Sequence, residues 1–133
     1  MKRAMVAVAV LLLVGALGGC ADKYETNEKE HLELLKELNK VLATAKDKDS
    51  LRAAIPLLAE LNERIRINIQ ERQAMPDPSK KRAKKLQDKY ADRLRQQSEI
   101  LGAHMREIDE IDKADKDLRK QRQDAMKDIP PDY

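Results

Sequence analysis

One cysteine, two histidines and a run of five cations are the residues of this 133-residue chain whose types and spacing could do chemistry. Cys20 has no second cysteine to pair with, so an internal disulfide is excluded and the thiol is left for covalent attachment. Glu28 and His31 stand at the Glu-x-x-His spacing that sets a carboxylate and an imidazole one helical turn apart, and His104 with Glu107 repeats the pair in reverse order. A metal or haem between helices would use such pairs. Their positions along the predicted helices argue against it, because His31 falls ~6 Å from the start of the first helix and His104 ~38 Å along the third from the same end. If the third helix broke in two, His104 would begin the last helix at the far end, and the two would still not meet. Each is read as a surface histidine, with no metal or cofactor. There is no Gly-rich phosphate loop and no nucleophile elbow, Ser50 falls at a cap, and Ser98 lies mid-helix. Carboxylates are abundant but spread over solvated helix faces, and a thin bundle leaves little room for a pocket, so no enzyme activity is expected.

The elements that position these residues divide the chain sharply. Met1-Lys2-Arg3 is cationic, and the fourteen residues from Ala4 to Leu17 carry no charged or polar side chain. That is too short to span a bilayer as a mature helix and fits the core of a signal peptide. The segment Leu17-Gly18-Gly19-Cys20 resembles the lipobox of bacterial lipoproteins, in which small residues precede a cysteine that becomes the lipidated N-terminus. The resemblance implies a signal peptide over 1–19, a diacylglyceryl group on Cys20, an N-acyl chain such as palmitate, and a short lipidated linker over 20–26. More than one chain makes membrane attachment stable where a single chain is marginal. Ala21 after the cysteine resembles the pattern routed to the outer membrane, and Asp22 one place later weakens that assignment. The location expected is therefore the cell membrane or the outer membrane, outside the cytoplasm.

Removing Lys2 and Arg3 lowers the formal balance from +3 to +1. A nearly neutral domain with 2% aromatic residues has neither the charge nor the stacking platform of a nucleic-acid binder. With neither Phe nor Trp, any core is built from Leu, Ile, Val, Ala and Met. Charged residues make up 38% of the chain with both signs interleaved, as on the outer faces of amphipathic helices, although the low hydrophobicity leaves disorder as an alternative.

The mature part reads as one all-α domain over 27–129 with a tail at 130–133. Asn27 and Glu30 form a capping pair, and Leu34, Leu35, Leu38, Val41, Leu42 and Ala45 recur at helical spacing, which predicts a helix over 27–46. Leu51, Ala54, Ile55, Leu58, Leu61, Ile65 and Ile69 predict a second over 51–74, kinked near Pro56. Asp77 as cap and Pro78 as first residue open a third that runs over 78–129 to Pro130-Pro131. The expected fold is an antiparallel three-helix bundle whose third helix, at ~75 Å, outruns partners of ~30 and ~36 Å. The alternative is a four-helix bundle broken near Gly102.

Two surface features follow. Lys80, Lys81, Arg82, Lys84 and Lys85 crowd the start of the third helix, where cations oppose the helix dipole. In an up-down-up bundle that end lies beside the lipid, so the cluster either touches anionic headgroups or is a solvated basic turn. Ile108, Ile111, Leu118 and Ala125 form a stripe beyond the reach of the shorter helices, which either binds a second copy or another envelope protein, or frays in solution. The stretch Val41-Leu42-Ala43, Asp47-Lys48-Asp49-Ser50 and Ala53 to Leu58, with the Pro-Ser-started helix bearing Tyr90, is similar to uncharacterised exported helical proteins of planctomycete-type bacteria. That resemblance covers about residues 30–110 and implies a helical fold without an activity. The expected role is that of a lipid-anchored structural or protein-interaction module of the cell envelope, with a ligand- or metal-carrying bundle as the alternative.

Overall fold

The computed structural model describes residues 22–133, so the leader and the motif at Leu17, Gly18, Gly19 and Cys20 lie outside the described residues. The described residues are all-helical: α1 spans Lys23–Ala43, α2 Lys48–Ala74, α3 Lys80–Ile111 and α4 Lys116–Ala125.

Each helix starts where a short polar side chain caps free backbone N–H groups. Asp22 accepts from the Tyr24 N–H at 3.0 Å, which starts α1 ahead of the expected Asn27 cap. Asn27 is instead buried inside α1. Asp47 and Ser50 cap α2 reciprocally, each bonding the other's backbone N–H. Pro56 lies inside that helix on its exposed side, where it leaves the Arg52 carbonyl without a helical donor. Met75 adopts an extended conformation before Pro76 and closes α2, as the crowding ahead of a proline requires. Ser79, rather than Asp77, caps α3 by accepting from the Arg82 N–H at 3.2 Å.

The third helix departs from expectation. It passes through Gly102 unbroken and stops at Ile111, and the chain turns at Asp112–Asp115 before Asp115 caps α4. α1 packs against both α2 and α3, and α4 folds back onto α2. The core is therefore aliphatic and continuous, with Leu34, Leu35, Leu38 and Leu42 of α1 meeting Leu51, Leu58 and Ile65 of α2, Leu101 and Ile108 of α3, and Leu118 of α4. The stripe expected to be free for a partner is thereby corrected: Ile108, Leu118 and Ala125 are buried and Ile111 packs against the same core.

An ion pair enclosed by this packing fixes the fold-back. Asp112 is fully buried and its carboxylate accepts from Arg122 Nε at 2.6 Å and Nη2 at 3.2 Å. Arg119 Nε lies 3.4 Å from the same carboxylate, and Arg122 Nη2 also donates to Asp109 at 2.7 Å. Removing one partner leaves the other buried and uncompensated, whereas replacing both by apolar groups avoids that desolvation cost. Arg122→Met is expected to lower stability by about 3–5 kcal/mol in urea unfolding, and the double change Asp112→Leu with Arg122→Met to recover most of the loss.

Candidate functional site

The end of the bundle where α1 begins carries a set of charged and aromatic contacts. Asp22, already the α1 cap, also pairs with Arg82 in the first turn of α3. The Tyr24 hydroxyl donates to the Pro76 carbonyl at 2.7 Å, and the Arg72 guanidinium stands 5.6 Å over the Tyr24 ring. One turn further in, Glu25 accepts from Lys89 and, at 2.9 Å, from the buried Tyr90 hydroxyl. Hydrogen bonds from Lys89 and Tyr90 hold the Glu25 carboxyl below its ordinary range. Burial, aided by that bond to a carboxylate, pushes the Tyr90 phenol up. Lys89 and Arg93 lie 5.7 and 5.6 Å from the Tyr90 ring centre. The starts of α1 and α3 are thus clamped side by side.

The five cations singled out from the sequence sit at that clamped end. Lys80, Lys81, Lys84 and Lys85 are exposed, and Arg82 is half-buried against Asp22. Lys84 reaches Asp88 at 3.5 Å, a contact between two exposed groups that contributes little. The first turn of α3 contains no acidic residue, so nothing in that turn offsets the exposed ammonium groups against the helix's positive end.

A second cluster lies midway along the bundle and was not legible as a site. The chain after α4 runs back so that Tyr133 is buried among α1, α2 and α3. Its carbonyl accepts from Ser98 Oγ at 3.0 Å and lies 3.4 Å from His31 Nε2, and its hydroxyl donates to Asn68 Oδ1 at 3.3 Å. The His31 and Tyr133 rings stack at a tilt of 39° with centres 4.2 Å apart. His31 is therefore half-buried rather than a solvated surface residue, and Glu28 stands 4.0 Å from its Nδ1. Burial lowers the His31 pKa, opposed by the Tyr133 carbonyl and the Glu28 carboxylate. Burial also raises the Tyr133 phenol, with the Glu30 and Glu28 carboxylates adding to the shift. Asn68 completes the cluster by exchanging bonds with Asn27: each side-chain amide donates to the other's backbone carbonyl, at 3.2 and 3.0 Å. The only sequence signal for this arrangement is an Asn on each apolar helix face.

His104 is half-buried on α3, and among the described residues no group of three His, Cys, Asp or Glu is placed to hold a metal ion. No described helix is long and apolar enough to cross a membrane. A shallow apolar cleft of about 360 Å³ opens between α3 and the chain after α4, lined by Leu101, Gly102, Met105, Met126, Ile129 and Pro130. A Cβ at Gly102 would meet only the flexible Arg106 guanidinium, at 3.7 Å, so the glycine is not demanded by close packing.

Comparison with protein-family models, curated proteins and solved structures finds no match to this chain.

The His31 shift fixes a sign for pH dependence. A pKa held below the ordinary 6.5 in the folded state gives a contribution that is complete above that value and lost as pH falls through the folded pKa. The loss falls in a window above that of the depressed carboxylates Glu25, Asp47 and Glu63. Urea midpoints are expected to fall between about pH 7 and pH 5, and His31→Gln to remove most of that slope while lowering stability at pH 7.

Proposed function

We propose that this chain is a lipid-anchored cell-envelope protein with a structural or protein-interaction role, its Cys20 carrying the lipid and Lys80, Lys81, Arg82, Lys84 and Lys85 lying against anionic headgroups. The observation that supports it most is the clamp of α1 to α3 through Glu25, Lys89 and Tyr90, because α1 begins at Lys23, three residues from Cys20 in sequence, a reach of ~10 Å at most. Whatever holds Cys20 at a bilayer brings the basic start of α3 to the same surface. Two or more acyl chains supply attachment, and each lysine near an anionic surface adds about 1 kcal/mol and sets the tilt of the body.

A second reading, a bundle that carries a small apolar ligand, is favoured by the methionine-lined cleft between α3 and the chain after α4. Native mass spectrometry of protein from its own host separates the two readings: bound ligand mass supports the carrier, and its absence supports the anchored module.

Intact-mass analysis of the cellular protein is expected to give a chain beginning at Cys20 with added acyl mass. An uncut leader with a free thiol would falsify the anchor. Changing all five cations to Gln in the delipidated domain is expected to weaken binding to anionic vesicles at least about tenfold and to leave binding to neutral vesicles unchanged. Equal binding to anionic vesicles before and after the change removes the headgroup contact and leaves the lipid untouched.

A further inference from the structure

We infer that α4 is an exchangeable element: two copies of this chain straighten the Asp112–Asp115 turn, and each lays its α4 on the other's α2. The turn Asp112-Lys113-Ala114-Asp115 contains neither glycine nor proline, and no described residue has a positive φ. Nothing in its covalent structure prevents helix. The buried positions keep one helical period through it, since Ile108, Asp112, Leu118, Arg122 and Ala125 recur at helical spacings with half-buried Asp115 filling the gap. The same side chains therefore share one face whether α3 and α4 are folded back or form a single straight helix.

The fold-back is held by side-chain contacts that a second copy can supply. Arg52 on α2 bonds Asp115 at 2.9 Å, Asn62 bonds the Asp128 carboxylate and backbone N–H at 2.9 Å each, and Arg122 bonds Asp112. Exchange remakes the core contacts, the Asn62 clamp and the Arg122 pair between copies, and gives up the Asp115 cap on the Leu118 N–H. In return the turn residues gain helical hydrogen bonds. This balance, in which an identical element fills an identical site, is the physical basis of domain exchange. The occupant is a second copy because the α2 face that α4 vacates is shaped for Leu118 and Ala125 of this same sequence. Straight α3–α4 rods set the two bundles end to end at their α4 ends. The inference does not depend on the lipid anchor.

The test uses the full chain in mild detergent. Isotope-labelled and unlabelled protein are mixed in equal amounts, unfolded, refolded together over a range of concentrations, and cross-linked with a carbodiimide. The links followed are those between the Glu63 carboxylate on α2 and Lys127 after α4, whose positive charge acts on that carboxylate. In the parent chain, the fraction of Glu63–Lys127 links joining labelled to unlabelled copies is expected to rise with concentration. Asp115→Ala removes the cap and is expected to raise that fraction toward its statistical limit of about half. Ala114→Gly disfavours the straight helix and is expected to lower it several-fold. Links confined to single copies at every concentration, in the parent and in Asp115→Ala alike, overturn the inference. If Asp115→Ala does not fold, the concentration series of the parent decides alone.

Discussion

The fold-back of α4 depends on one carboxylate. Asp112 is shielded from water at the end of α3, and its oxygens meet the Arg122 and Arg119 guanidinium groups from the following helix. A helix of ten residues is not stable in isolation, so α4 exists because it is docked. Its apolar contribution is small, essentially Leu118 and Ala125 among its own residues, and two such side chains could settle on an aliphatic surface in several registers. The ion pair selects one of them. A buried pair contributes little net stability over an apolar replacement, and its effect here is geometric: it sets where α4 lies and hence where the chain beyond it returns. The return of Tyr133 to His31, Ser98 and Asn68 follows from that placement.

The same division between cohesion and register runs through the bundle. Leucine and isoleucine fill the core, and their contacts are nearly indifferent to a small slide of one helix along another. Four asparagines at its margin are not indifferent. Asn27 and Asn68 tie α1 to α2, Asn39 donates to the Gln97 carbonyl at 2.9 Å and ties α1 to α3, and Asn62 ties α2 to Asp128. The Asn27–Asn68 bonds are buried and the other two part-buried, so leaving them unmade costs some or all of the desolvation of the group. The α1–α2 and α1–α3 interfaces, and the packing of the chain after α4 on α2, thus each have a polar stop that defines one alignment, a role attested for single asparagines in apolar helix seams.

What the sequence revealed follows from which interactions are local. The helical class and the existence of α1 and α2 were readable because their apolar periods run uninterrupted over many turns. The start of α1 was misplaced because Asn27 and Glu30 mimic a capping pair, while the actual cap, Asp22, stands nearer the leader. The end of α3 was unreadable for a stronger reason: Ile108, Ile111, Leu118 and Ala125 have the same spacing in a straight helix and in two helices folded together. The contacts of Asp112, Asp115 and Asp128 with residues distant in sequence distinguish them, and those are tertiary properties. Gly102 drew attention as a break by its residue type, yet α3 passes through it and ends at its C-cap Asp112, ahead of the Asp115 cap of α4. The His31 environment was invisible because Tyr133, distant in sequence, creates it.

The start of α3 poses an energetic question that the fold answers only in part. Ser79 satisfies one N–H of the first turn, but the cations that follow lie against the positive end of the helix dipole with no acidic residue in that turn to balance them. Asp22, the cap of α1, lies beside Arg82, and Glu25 on α1 accepts from Lys89 further along α3. Lys80, Lys81 and Lys85 are solvated, and Lys84 finds only the exposed Asp88. A layer of anionic headgroups at this end would offset both the repulsion among the ammonium groups and their opposition to the dipole, which water does only by screening. An arrangement mildly unfavourable for an isolated domain becomes favourable at a negative surface. Under the proposed anchoring at Cys20, the domain's least favourable electrostatic feature is what fixes its orientation.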